Sequence, residues 1–186
     1  YNLLFSVSLD SHLPDLHNKI RNSPFAYEKT LNTIRLFKEN NIKFNITTVL
    51  NKYNYHLLSD FIDFCISKEI QFVKINPVLP FGFSADQKEM VVSDEDVCNL
   101  SNIVINKKGI KINPSLPFAL FPLDFIYEHY DEKLCDFLGI LSLLPDGNIS
   151  ICGAGYYHKS IVLGNILEIK SYKEFWECNP FLLKIR

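Results

Sequence analysis

The sequence has little of several features that identify common classes of protein. No apolar run approaches the roughly 20 residues of a membrane-spanning helix, and no segment has the pattern of a signal peptide. The net charge is only −2, with acidic and basic residues interspersed, which is unlike the basic face of a protein that binds nucleic-acid phosphates. Five cysteines, an odd number with irregular spacing, favour reduced thiols over a disulfide framework. Together these absences predict a cytoplasmic protein that binds neither nucleic acid nor membrane.

What the chain does contain is ample material for a buried core. Hydrophobic residues make up 47% of the 186 positions, including 15 Phe and 9 Tyr, which fits one domain, or one domain plus an incomplete second. The chain opens at Tyr1, almost inside a strand-like run, and stops at Arg186 without a polar tail. We therefore expect it to be a piece of a longer protein.

Strand-like runs alternate with helical patterns through the first 113 residues. Strands are predicted at 3–9, 43–49 and 71–76, with a short fourth at 110–113. Helices are predicted from Ser23-Pro24 to about Asn40, around Leu58, Phe61, Ile62 and Cys65, and from Ser93, which opens a variant of the capping box. This alternation predicts an α/β fold of parallel βαβ units, with the strands in sequence order and the three helices on one face.

Polar residues follow the apolar part of each of the first three strands. Ser8 and Asp10 close the first, Thr48 and Asn51 lie at the end of the second, and Asn76 ends the third. Ligands of parallel sheets bind beyond the carboxyl ends of the strands. These positions are therefore candidate ligand contacts, although strands commonly stop at polar residues for no functional reason.

Two cysteines flank a predicted hairpin near the end of the chain. Cys135 and Cys152 stand on either side of the turn Pro145-Asp146-Gly147, and Asp-Gly between alternating apolar residues is a strong hairpin signal. A hairpin brings its two ends together, so both thiols are candidate ligands of one metal centre. Two thiolates are half of a tetrahedral or cubane site.

These motifs resemble those of radical S-adenosylmethionine enzymes that carry a SPASM domain, a module for auxiliary iron–sulfur clusters. The resembling segments of the first part are Val7-Ser8-Leu9-Asp10, His17 to Arg21 with Phe25, Thr47 to Asn51 with Asn54, and Pro80-Phe81-Gly82. The SPASM-like segments are the Cys135-x11-Gly147-x4-Cys152 hairpin, Leu163 to Ile166, and Phe175-Trp176. Three positions depart from the family: Ser11 and Asn22 stand where it often has Gly, and Asn18 where it often has Asp.

The resemblance implies a fold and a division of the chain. Residues 1–113 would be the C-terminal half of a partial (β/α)6 TIM-like barrel with parallel strands, residues 114–134 a connector, and residues 135–186 a truncated SPASM β-hairpin and helix. The family's Cys-x3-Cys-x2-Cys loop and its further SPASM cysteines have no match in this sequence.

The resemblance also implies a reaction. In the family, a [4Fe–4S] cluster reduces S-adenosylmethionine, and the resulting 5′-deoxyadenosyl radical removes a hydrogen atom from a substrate, commonly a peptide or protein. The implied cofactor-binding residues are Ser8, Asp10, Thr48 and Asn76, and the implied cluster ligands are Cys135 and Cys152. Because the three-cysteine loop is missing, the chain alone is expected to be inactive and to hold no complete cluster.

Two other functions remain open from the residues. The chain is alternatively a non-catalytic module that binds a peptide or partner, or an unrelated α/β protein in which Cys135, Cys152 and a histidine hold a structural zinc ion. Cys65 and Cys98 are predicted to be structural thiols on inner helix faces, and Cys178 a structural thiol. We also expect self-association through the open edge of the first strand, because unpaired backbone groups recruit another strand.

Overall fold

The computed structural model of the chain describes residues 4–78, 88–116, 118–129, 141–156 and 158–185. The chain divides into two compact units, Tyr1–Tyr130 and Asp131–Arg186. The division falls inside the segment predicted as a connector, and the three-part assignment of residues 1–113, 114–134 and 135–186 stays a prediction.

The first unit is built on a four-stranded parallel sheet. Its strands are β1 (Phe5–Ser8), β2 (Phe44–Leu50), β3 (Phe72–Pro77) and β4 (Lys111–Pro114), and each pairs with the next in the order β1-β2-β3-β4. All three pairings are parallel. The predicted parallel α/β fold with strands in sequence order is therefore confirmed.

The described part of this unit contains five α-helices. They are α1 (Pro14–Ile20), α2 (Ala26–Glu39), α3 (Leu58–Ser67), α4 (Asp94–Asn106) and α5 (Leu123–His129). Sequence patterns predict α2, α3 and α4 but not α1, which has only seven residues and Pro14 in its first turn. The predicted cap of α4 is present, since Ser93 Oγ accepts a hydrogen bond from Asp96 N.

The two faces of the sheet differ in chemistry. Strand register aligns Val7, Ile46, Val73 and Ile112 across the four strands, and all four are buried in one core with side chains from α2, α3 and α4. Burying each such side chain contributes about 1.5–3 kcal/mol.

We call the opposite side of the sheet the open face. Because side chains alternate along a strand, it carries Ser6, Ser8, Asn45, Thr47, Val49, Phe72, Lys74, Asn76, Lys111 and Asn113. Its members are mostly polar, and Ser6, Ser8, Lys74 and Lys111 are exposed. One face of the sheet is thus a dry core, while the other presents hydrogen-bonding groups.

The first strand has a free edge with apolar side chains beside it. Leu4 is 64% exposed and Phe5 is 42% exposed, and among the described strands β1 pairs with β2 alone. The structure thus contains the edge from which self-association was expected, and the association itself stays a prediction.

The described part of the second unit begins with the predicted hairpin. Strands β5 (Ser142–Leu143) and β6 (Asn148–Ser150) are antiparallel. In the turn, Gly147 has φ 79°, a left-handed conformation that glycine adopts without steric cost, and its N–H donates to Leu144 O. The SPASM-like segment Leu163 to Ile166 lies largely in strand β7 (Val162–Asn165), because Gly164 and Asn165 pair with β6.

Two short helices, α6 (Tyr172–Cys178) and α7 (Pro180–Ile185), follow in the described part of the second unit. Ser171 Oγ caps α6 by accepting from Glu174 N, and Asn179 Oδ1 accepts from two N–H groups at the start of α7. Across the described ranges, no helix is both long and apolar enough to cross a bilayer.

The thiols differ sharply in accessibility. Cys65 is buried as predicted, whereas Cys98 and Cys178 are exposed. The prediction for Cys98 is wrong because the buried stripe of α4 runs through Leu100, Ser101 and Val104, and a residue two positions before Leu100 points about 200° away from it. Cys178 is likewise exposed, so it is not a structural thiol packed in a core.

Thiol alkylation provides a test of this difference. Burial raises the pKa of Cys65 to about 12, and only the thiolate is nucleophilic. We expect iodoacetamide at pH 8 to modify Cys65 at least about a hundredfold more slowly than Cys98, as followed by peptide mass spectrometry. Guanidinium chloride should abolish the difference, and equal rates in the folded protein would contradict the packing of α3.

Candidate functional site

The candidate site lies at the carboxyl ends of β1 and β2. Ser8, the last residue of β1, is exposed on the open face. Asp10, two residues later, is only 2% exposed. The two implied cofactor contacts of this segment therefore differ, since the Ser8 hydroxyl is accessible and the Asp10 carboxylate is enclosed.

The Asp10 carboxylate makes one hydrogen bond and one ion pair with other parts of the unit. Its Oδ1 accepts a hydrogen bond from Val49 N at 2.9 Å, which ties the end of β1 to the end of β2. Its Oδ2 lies 2.5 Å from Arg21 Nε, beyond the end of α1. The carboxylate thus fixes the loop after β1 against the neighbouring strand and helix.

His17 closes the same loop from α1. It is 1% exposed, and its Nδ1 accepts a hydrogen bond from Asp10 N at 3.1 Å. Burial lowers the pKa of His17, with Arg21 lowering it further and Asp10 opposing. A ring whose Nδ1 accepts a hydrogen bond is neutral and carries its proton on Nε2. Nε2 is buried and has no hydrogen-bond partner in the described part of the chain.

The lowered pKa of His17 makes the stability of the first unit depend on pH. The unfolded chain takes up the imidazole proton near the ordinary value of 6.5, whereas the folded chain takes it up only at lower pH. The contribution of neutral His17 is therefore fully present above pH 6.5 and is lost as the pH falls below it. We expect His17→Asn, whose Oδ1 can replace Nδ1 as acceptor, to flatten the fall in unfolding free energy between about pH 7.5 and 5.

Urea unfolding at a series of pH values measures this effect. His56→Asn is the matched control, because His56 is exposed and should retain the wild-type slope. If His17→Asn also retains that slope, the imidazole is not held neutral by its surroundings. Asp10 and Arg21 are the charged groups that act electrostatically on the ring, and both variants keep them.

Asn54 connects the ends of both strands. Its Nδ2 donates to Asp10 O at 2.8 Å and to Val49 O at 2.9 Å, and its Oδ1 accepts from Asn51 N at 2.8 Å. Asn54 is 3% exposed, so these bonds replace water that cannot reach the backbone groups. One buried amide thereby fixes the spacing of two strand ends. The sequence places Asn54 in a family motif but gives no sign of this contact.

The departures from the family pattern have structural explanations. Asn22, at the position where the family often has Gly, has φ 48°, and Asn is among the residues that tolerate this left-handed region. Asn18, where the family often has Asp, accepts from Tyr27 N and donates through Nδ2 to Pro24 O. An ionised aspartate could make only the first of these bonds.

Thr48 and Asn76, the other implied contacts, lie on opposite sides of the sheet. The Thr48 side chain points to the same side as Ile46 and Leu50 and is 0% exposed, so its hydroxyl does not reach the open face. Asn76 lies on the open face at the end of β3, where its Oδ1 accepts from Ser115 Oγ at 2.7 Å. Their roles in binding a cofactor stay predictions.

The predicted metal ligands are only partly described. Cys152, just beyond β6, is half-buried. Cys135 and the Pro80-Phe81-Gly82 motif lie outside the described residues, so the approach of Cys135 to Cys152 stays a prediction. Within the described ranges, no group of three or more His, Cys, Asp or Glu side chains is arranged to hold a metal ion.

The fold places the chain in a recognisable structural class. A four-stranded parallel sheet with its helices is consistent with a partial TIM-like barrel of the radical S-adenosylmethionine type. No protein-family model matches the sequence, and a search of curated proteins finds no match either.

Two solved proteins share the fold. anSMEcpe, solved with bound AdoMet and Kp18Cys peptide, is similar with a TM-score of 0.65 and 19% identity over 96% of this chain and 51% of that chain. SuiB of Streptococcus suis, bound to S-adenosylmethionine, has a TM-score of 0.62 and 18% identity over 98% of this chain and 44% of that chain. At these identities the likeness concerns the fold, and the chain spans about half the length of the structures that it matches.

Proposed function

We propose that this chain is part of a radical S-adenosylmethionine enzyme that modifies a peptide or protein. The observation that carries the proposal is the fold, which is shared with two proteins solved with S-adenosylmethionine over almost all of this chain. The order of the motifs supports it, because the Ser8-x-Asp10 strand end precedes the Cys135-to-Cys152 hairpin, as in the resembling family. A peptide substrate is supported by the Kp18Cys peptide bound to anSMEcpe.

The strand ends fit a cofactor with ribose hydroxyls, an amino group and a carboxylate. The exposed Ser8 hydroxyl can donate and accept, and Asn76 offers an amide at the same edge of the sheet. Because the Asp10 carboxylate bonds to Val49 N and Arg21, we assign Asp10 the role of holding the loop that presents Ser8. Because the Thr48 side chain faces the core, its contribution would come from its backbone. When bound and reduced, S-adenosylmethionine supplies a 5′-deoxyadenosyl radical.

The second unit is proposed to carry part of an auxiliary iron–sulfur site. Cys152 stands half-buried at the end of a hairpin strand, a position from which a thiolate can reach a cluster. With Cys135 it supplies two ligands, so the remaining ligands would come from other residues of a longer protein. A zinc site remains the alternative that elemental analysis of the intact protein distinguishes.

Formation of 5′-deoxyadenosine tests the proposal. The 186-residue chain alone should form none above a protein-free control, since its sequence has no Cys-x3-Cys-x2-Cys loop. A longer protein that includes such a loop should form it from S-adenosylmethionine and dithionite after anaerobic iron reconstitution. We expect Ser8→Ala to lower that yield about tenfold, equivalent to losing one hydrogen bond worth about 1.4 kcal/mol.

Ser160→Ala is the matched control, because Ser160 is exposed in the second unit, and it should keep the wild-type yield. Replacing Cys152 with Ala in the longer protein should lower its iron content without removing the cluster of the three-cysteine loop. Failure to form any 5′-deoxyadenosine in the longer protein, or turnover by the short chain, would contradict the proposal.

A further inference from the structure

The open face is unusual for a parallel sheet. Parallel sheets are almost always covered on both faces, whereas among the residues that the structure describes only the face that carries Val7, Ile46 and Val73 packs into the core. The other face keeps Ser6, Ser8 and Lys74 exposed. Covering polar groups with an apolar layer would leave them without hydrogen-bond partners. We therefore expect polar groups or a water-filled cavity against this face.

The charge of the open face has one sign. It carries Lys74 and Lys111, and no aspartate or glutamate is among its members in the four described strands. Asp10, beyond the end of β1, is already paired with Arg21. Lys111 is engaged within the chain, so Lys74 is the cation whose charge favours an anionic ligand at this face.

Lys74 is the cation best placed to receive such a ligand. Strand register sets it between Thr47 of β2 and Asn113 of β4, in the same row as Ser8. Within the part of the chain that the structure describes, Lys74 forms no ion pair. The Lys74 residue is exposed, and a hydroxyl and an amide lie on the adjacent strands.

We infer that Lys74 binds a side-chain carboxylate of the substrate peptide, so that the substrate of the proposed enzyme carries Asp or Glu near the residue that is modified. That the ligand is a peptide substrate rests on the proposed function. A carboxylate fits better than a phosphate, because the row of Thr47, Lys74 and Asn113 offers one positive charge, which balances one carboxylate but not the charge of about −1.5 to −2 of a phosphate.

Peptide binding measured by fluorescence anisotropy tests the inference. The probe is a fluorescein-labelled ten-residue Gly-Ser peptide with three Glu, compared with the same peptide carrying Gln, at low ionic strength where exposed charges are least screened. We expect the Glu peptide to bind the 186-residue chain, and the Gln peptide to bind at least tenfold more weakly. Lys74→Met, which keeps most of the side-chain stem, should weaken binding of the Glu peptide at least tenfold.

Two controls separate a specific contact from general attraction. Lys108→Met removes an exposed cation from the connection between α4 and β4, outside the open face, and should change affinity less than twofold. Lys74→Arg keeps the charge and should retain binding within about threefold. Circular dichroism should show that Lys74→Met is folded, so that weaker binding reflects the lost ammonium group.

Several outcomes would overturn the inference. The Glu peptide does not bind, or the Gln peptide binds as tightly as the Glu peptide. Lys74→Met binds the Glu peptide with the affinity of the wild type. A longer protein does not bind the peptide, because its other strands cover Lys74. The result is independent of 5′-deoxyadenosine formation. If the cofactor is cleaved while the peptide assay fails, only this inference is wrong. If the peptide binds as expected while no cofactor is cleaved, the proposed function is wrong.

Discussion

Replacing Asn54 with alanine is expected to lower the unfolding free energy of the first unit by about 3 kcal/mol or more, since each buried backbone group left without a partner costs about 1–3 kcal/mol. Three groups would lose their partner, namely Asp10 O, Val49 O and Asn51 N. The residue is 3% exposed, so water cannot replace the missing amide without a change in the loops. Urea unfolding followed by circular dichroism measures the loss.

Two further variants show whether the amide itself is responsible. Asn102→Ala, on the exposed side of α4, should change stability by less than about 0.5 kcal/mol, as surface substitutions do. Asn54→Asp keeps an acceptor for Asn51 N but replaces the donor with an anion facing two carbonyl oxygens. We expect it to be as destabilising as alanine at neutral pH. A loss below about 1 kcal/mol for Asn54→Ala would show that the strand ends do not depend on this bridge.

Gly155→Ala should strongly destabilise the second unit. A Cβ atom at Gly155 would lie 2.0 Å from Ser150 Oγ and 2.4 Å from Ser150 Cβ. Ser150 is a buried strand residue of β6, so the clash is not with the far end of a flexible side chain. Overpacking of this kind costs about 1–3 kcal/mol and occasionally more, and the effect should appear as a lower midpoint in thermal unfolding.

Gly153 provides a closely matched control two residues earlier. A Cβ atom there would meet nothing within 4 Å, so Gly153→Ala should be neutral or stabilising by a few tenths of a kcal/mol through a less flexible unfolded chain. Combining Gly155→Ala with Ser150→Gly removes both clashing atoms. The double variant should lose less stability than the sum of the single variants. Additive losses would contradict the close approach of these two segments.

The regular elements could be predicted because their signals are local. Period-two alternation located β1, β2 and β3, helical spacing located Leu58, Phe61 and Ile62 of α3, and an Asp-Gly pair located the hairpin turn. Each signal spans only a few residues. The identity of the partner strand then follows from the connection lengths and their handedness.

The contacts at the strand ends could not be predicted in the same way. Asp10 Oδ1 meets Val49 N across 39 residues of sequence, and Asn54 Nδ2 meets Asp10 O across 44. Single hydrogen bonds between loops have no periodicity, so residue type alone suggested that Asp10 faces a ligand. The orientation of Thr48 is easier to predict from the sequence. Ile46 and Leu50 lie two residues to either side of it, so they point to the same face of the sheet, and both are apolar.

The sheet order has a consequence for how the first unit comes together in time. Each described strand pairs only with its neighbours in the sequence, so no pairing has to wait for a distant segment. As the chain leaves the ribosome, β2 can pair with β1 once α2 has emerged, and β3 and β4 can then be added one at a time. At the far edge Pro114 pairs with Ile75 but has no N–H to donate outward, whereas Phe5–Ser8 contains no proline. Assembly therefore leaves an edge more receptive to a further strand at β1 than at β4.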